Sequence, residues 1–149
     1  MKKLPPIQKI LEAYTAIADN HIKLSDGKAT VVSSDEAKKY TVTFDGDTYT
    51  SNDNATYWQG YPGYPIIAVL MMQGRIPYDS QVAKQFADVN WNAANKTAKR
   101  DYAKAAAVIM SQRGIDADQV QAAMQKAFAE LKALPLTIKR GSLRPPKAK

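Results

Sequence analysis

The chain has 149 residues, 45% of them apolar and 23% charged, which is the size and composition of one folded domain and excludes a disordered chain. It contains no cysteine, so a disulfide framework and a thiolate metal site are excluded as well. Lys and Arg number 21 against 14 Asp and Glu, and removing Lys2 and Lys3 at one end and Lys139, Arg140, Arg144, Lys147 and Lys149 at the other leaves a body with 14 charges of each sign.

In chain order, Pro5-Pro6 suits the opening of a helix, because the fixed φ of proline fits a first turn. Ile7, Ile10, Leu11, Tyr14, Ile17 and Ala18 then recur at helical spacing and predict an amphipathic helix ending near Asn20. Short β-prone runs follow at 21–24 and 29–33, separated by Ser25-Asp26-Gly27. Tyr40 to Phe44 turns at Asp45-Gly46 and returns through Thr48-Tyr49-Thr50, a strong hairpin signal. Together these runs predict an antiparallel sheet of three or four strands.

Residues 52–65 are dense in turn formers and aromatics, and Ile66 to Met72, stopped by Gln73-Gly74, is apolar on nearly every face. A helix of that kind must be buried. Asp79 or Ser80 caps the next helix, and a long one is predicted from about Asn92 to Arg113, ending at Gly114. The last begins at Asp116, with Gln119 three residues on as in a capping box. The predicted class is α+β: an N-terminal helix, a small antiparallel sheet with a hairpin, a short buried helix, and a C-terminal layer of about three helices. Residues 1–138 read as one domain and 139–149 as a flexible basic tail with Pro145-Pro146.

The stretch from Tyr40 to Gly74 carries one further pattern. Gly60-Tyr61-Pro62-Gly63-Tyr64-Pro65-Ile66-Ile67-Ala68-Val69-Leu70 resembles the helix-opening half of the SWIM zinc-finger family, a ββα unit with ligands spaced C-x-C and C-x-H. Gly63 and Pro65 stand at the third and fourth ligand positions, and Tyr49 to Asp53 falls where C-x-C would be, so every metal ligand is missing. The resemblance implies a binding role in DNA or protein contact and no catalysis; with the ligands missing, no metal and no other cofactor is expected. Without zinc, burial of Tyr57, Trp58, Tyr61 and Tyr64 is the expected staple for the loop. If instead they face solvent, the same rings are a platform for bases or for a protein partner.

Catalytic chemistry has little to build on. His21 is the one histidine and reads as structural; Asp45, Asp47 and Asp53 cluster near the hairpin, where turn formation accounts for them without a cation. No phosphate-cradling glycine loop, nucleophile elbow or spaced acid pair is present. The chain therefore reads as a binding protein, not an enzyme. Lys96, Lys99, Arg100 and Lys104 fall broadly on one side of the long helix and, with Lys139, Arg140, Arg144, Lys147 and Lys149, form the expected phosphate-contacting set. Nucleic acid is the expected partner. The alternative is a protein-interaction module, or a homo-oligomer, docking through the Tyr/Trp loop at 57–64.

Pro5, Pro6, Gln8, Lys9 and Glu12 interrupt any leader-like apolar stretch, and Ile66 to Met72 is too short to span a bilayer. A cytoplasmic setting without membrane contact is expected.

Overall fold

A computed structural model describes residues 3–146. Helix α1 (Lys9–Ala18) follows the two prolines and turns Ile10, Leu11, Ala13 and Tyr14 inward. Strands β1 (Ile22–Ser25), β2 (Lys28–Val32), β3 (Lys39–Asp45) and β4 (Thr48–Ser51) then pair antiparallel in succession. A fifth strand, β5 (Thr137–Lys139), joins the far edge parallel to β4, which gives the order β1-β2-β3-β4-β5. The α+β class read from the sequence is the class observed.

Side chains alternate across a strand, so the register divides this sheet cleanly. One face carries Ala29, Val31, Tyr40, Val42, Tyr49 and Ser51, all buried. Helix α2 (Tyr64–Met72) packs on that face against β1, β3 and β4, and α1 packs on α2. With protein on both sides, every residue from Pro65 to Met71 is buried, as its uniformly apolar sequence requires.

The C-terminal layer has four helices: α3 (Ser80–Gln85), α4 (Trp91–Thr97), α5 (Tyr102–Arg113) and α6 (Ala117–Ala133). The long helix expected over 92–113 is therefore two. It breaks at Lys99 and Arg100, which take left-handed φ of 56° and 65°, and Asp101 restarts it by accepting the Lys104 N–H. Each left-handed non-glycine residue costs on the order of 1 kcal/mol; the new cap and closure of the Arg100 N–H on the Asn95 carbonyl at 2.7 Å offset that. Asp79 and Asp116 cap α3 and α6 as expected.

The layer is fastened to α1 through Thr15. Its buried hydroxyl donates to the Phe86 carbonyl at 2.7 Å and accepts the Trp91 indole N–H at 2.7 Å, and the two rings stack 6.1 Å apart.

The boundary drawn at 138/139 falls inside β5, because Lys139 pairs with Thr50. Beyond it the chain still touches the body. Arg140 donates to the Tyr57 carbonyl, and Asn52 donates to the Arg144 carbonyl. Lys147 and Lys149 lie outside the described residues.

Candidate functional site

The sheet face turned away from α2 differs in chemistry from the core face. The register places Lys23 on β1, Lys28, Thr30 and Val32 on β2, and Lys39, Thr41 and Thr43 on β3. Asp45, Thr48 and Thr50 continue it, and Thr137 and Lys139 close it on β5. It thus carries six threonines, four lysines and one carboxylate, and no aromatic ring. Lys23, Lys28, Lys39 and Lys139 are all exposed. Among the described residues the ion pairs are Lys9–Glu12 and Arg75–Asp47, so none of the four face lysines is neutralised by a carboxylate. Lys23 and Lys139 stand on opposite edge strands, about 19 Å apart at the usual strand spacing.

The body, neutral by count, is thus not uniform in charge. Residues 19–53 hold seven acids and four bases, yet all of these acids but Asp45 lie off this face. Asp26, Asp45 and Asp47 sit at the turn ends of the hairpins, and Asp35 and Glu36 in the β2–β3 loop. Asp47 is taken by Arg75 at 2.5 Å. The period-2 alternation of Thr and Lys against Val and Tyr in Lys39-Tyr40-Thr41-Val42-Thr43 was the available signal, but it becomes a surface only once the register is known.

The basic row expected on the long helix does not exist as a row. Lys96 lies in the last turn of α4, Lys99 and Arg100 form the left-handed break, and Lys104 lies in the first turn of α5; all are exposed. Arg140 rests 4.7 Å from the Tyr57 ring centroid and 5.4 Å from that of Trp58, so a cation–π contact within the chain occupies it. Arg144 is exposed.

At the end of the sheet opposite the tight turns lies a cleft of about 1060 Å³. It opens between α1, the β2–β3 loop, the β4–α2 segment and the α4–α5 break. Lys9 and Glu12, one turn apart on α1, meet there at 3.0 Å, and Lys9 also lies 4.3 Å from the Tyr102 ring centroid. Burial holds the Glu12 carboxyl above the usual carboxylate range despite Lys9. Burial alone would lower the Lys9 ammonium, but the Glu12 carboxylate outweighs it and holds Lys9 above its ordinary value. Desolvation, with Asp53, Asp35 and Glu12 nearby, pushes the Tyr40 phenol up to about 12.

Asp53 lines the same cleft and supplies the staple expected of the aromatics. Its carboxylate, only 5% exposed as a residue, accepts the Ser51 hydroxyl and the Thr56 N–H, and the Thr56 hydroxyl accepts the Gly63 N–H at 3.0 Å. Gly63 fits because a Cβ there would collide with that carboxylate. Around this knot the chain makes a π-helical turn (Ala55–Gln59). The hairpin and helix of the SWIM-like stretch are thus bridged by Asp53 and Thr56, with Gly63 capping α2 and Pro65 in its first turn. The loop rings part company. Trp58 is 61% exposed at the cleft mouth, Tyr57 lies edge-on to it, Tyr61 is half-buried, and Tyr64 packs edge to face on Tyr40.

Asp53 is separated from Asp45 and Asp47 by the length of β4, and among the described residues no cluster of three or more His, Asp and Glu side chains is positioned for a metal ion. No described helix is long and apolar enough to cross a membrane.

Residues 2–137 match a family model, and the chain belongs to that family, described as uncharacterised conserved protein UCP014422. No curated protein and no solved structure matches it.

Proposed function

We propose that the protein binds nucleic acid through the open face of its sheet, holding the phosphate backbone of a duplex without reading its sequence. The observation that carries this is the presence of Lys23, Lys28, Lys39 and Lys139 on one face with Asp45 as the sole opposing charge. Four unpaired ammonium groups displace condensed counterions from phosphates, and this supplies affinity independent of sequence. Threonine hydroxyls between them donate to phosphate oxygens and fix the register of the backbone on the sheet. The absence of any ring from the face removes the stacking platform on which a single strand would be gripped. About 19 Å between the outer lysines spans roughly half a turn of duplex. Lys139 belongs to both this face and the basic C-terminal segment, which adds Arg144 beside Asn52.

The test is a titration of a short duplex and of its separated strands by anisotropy. Micromolar affinity for the duplex that does not vary with sequence and is lost in Lys28→Glu/Lys39→Glu supports the reading. Equal affinity of that double variant and the parent refutes it.

A further inference from the structure

The cleft is chemically unlike the sheet face. Of the side chains that line it, only Ala37 and Ala55 are aliphatic; Val, Leu, Ile, Met, Phe and Pro are absent. Tyr40, Trp58, Tyr61, Tyr64, Trp91 and Tyr102 supply rings. Between them stand the carboxyls of Glu12, Asp35 and Asp53 and the amides of Asn54, Asn92 and Asn95. Four cations, Lys9, Lys38, Lys96 and Arg100, nearly balance the three acids.

Each of these features narrows the occupant. A lining whose only aliphatic side chains are two alanines does not suit a lipid or another apolar ligand. A nearly balanced charge, with Lys9 already spent on Glu12, suits a neutral molecule better than a strong anion or cation. The hydroxyls of Tyr40, Tyr61, Tyr64 and Tyr102 make no hydrogen bond to another described residue. Each phenol both donates and accepts, so together they match a ligand rich in groups that do the same. A planar base is sandwiched where two parallel rings face each other, although a single ring also stacks one. The ring pair within the lining, Tyr40–Tyr64, stands at 87°; Trp58 has Tyr57 edge-on at 80° and Arg140 5.4 Å from its centroid, yet is 61% exposed, so at most one indole face is available. A single exposed indole face accepts the C–H side of a puckered ring, while carboxylate and amide groups hold its hydroxyls.

We infer that the cleft is a carbohydrate-binding site, with the exposed face of Trp58 as the stacking platform for a neutral sugar ring and Asn54, Asn92 and the tyrosine hydroxyls as its hydrogen-bonding partners. The site is separate from the lysines of the sheet face and takes an uncharged ligand, so the two activities stand or fall independently.

Intrinsic fluorescence is well placed to test this, because Trp58 is 61% exposed and Trp91 only 2%, and both border the cleft. The full chain is titrated with cellotetraose, maltotetraose, chitotetraose and xylotetraose, and separately with adenosine. The expected result is saturable change with at least one saccharide at a Kd of about 1 mM or tighter, unchanged between low and high salt. Trp58→Ala weakens it at least tenfold, and Tyr61→Phe, which removes only a hydroxyl, weakens it severalfold. Trp58 is exposed, so its replacement leaves the fold intact; Lys28→Glu/Lys39→Glu leaves saccharide binding unchanged. Silence with all four saccharides overturns the inference, as does saturation by adenosine alone or undiminished binding by Trp58→Ala.

Discussion

Replacing the face lysines in steps gives a quantity that can be worked out beforehand. Each phosphate contact contributes about 0.9 to the slope of log affinity against log salt, so four lysines on a duplex give a slope of about −3.6. Raising salt from about 50 to about 200 mM should then weaken the parent protein roughly 150-fold. Lys28→Ala/Lys39→Ala halves the slope, and the same change of salt should weaken it only about 12-fold. Both residues are exposed strand positions with no ion pair, so stability should move by less than about 0.5 kcal/mol, and circular dichroism on the same samples checks this. The control is Lys96→Ala/Lys99→Ala/Arg100→Ala, which removes cations at the helix break. Anisotropy at four or five salt concentrations reads each slope. If the sheet-face pair leaves the slope unchanged while the helix-break triple flattens it, the phosphate contacts lie at the break and the reasoning from the sheet register is refuted.

Further predictions concern the scaffold of the two sites. Thr15→Val removes the partner of both the Trp91 indole and the Phe86 carbonyl and should cost about 2–4 kcal/mol in urea unfolding; Thr15→Ser should restore most of it. Gly63→Ala drives a methyl group into the Asp53 carboxylate and should lower stability by about 1–3 kcal/mol. The backbone there is extended, with φ −73° and ψ 176°, so Gly63→Ala combined with Asp53→Ala should lose much less than the two single losses added together. Lys9→Met strands the buried Glu12 carboxylate, whose pKa burial already raises. A raised acid binds its proton more tightly folded than unfolded, so the variant should lose stability relative to the parent as pH climbs from the ordinary Glu value through the raised one. Urea midpoints at pH 4.5 and 7.5 should therefore lie closer to the parent at the lower pH, and equal gaps at both would contradict the burial of an ionised Glu12.

The parts of the fold that were legible in the sequence are those set by local chemistry. Asp79 and Asp116 announce helix starts because a short carboxylate side chain reaches free N–H groups at a first turn. Asp45-Gly46 announces the hairpin, and the unbroken apolar run at 66–72 announces burial on every side. The break at Lys99-Arg100 was hidden because left-handed lysine and arginine have no compositional mark; Asp101, three residues before Lys104, was the one local hint of a new cap. β5 was hidden for a different reason. Its partner β4 lies far away in sequence, and Thr137-Ile138-Lys139 is too short and basic to stand out from a charged terminus. Charge counted along the chain does not show the sheet face for the same kind of reason. Neighbours in sequence such as Lys28 and Asp26 part to a face and a turn, whereas Lys23 and Lys139 are brought to one surface. The cleft depends wholly on long-range assembly: Glu12, Asp53 and Asn95 are distant in the chain and meet only when α1, the β4–α2 segment and α4 pack.

The most direct test is amide chemical-shift mapping of the isotope-labelled full chain during titration with a short duplex. Saturable shifts concentrated at Lys23, Lys28, Thr30, Thr41, Thr43, Thr50 and Lys139, with α3 and α6 unmoved, are the predicted result. Shifts that avoid those strands, or none at millimolar protein and low salt, would contradict it.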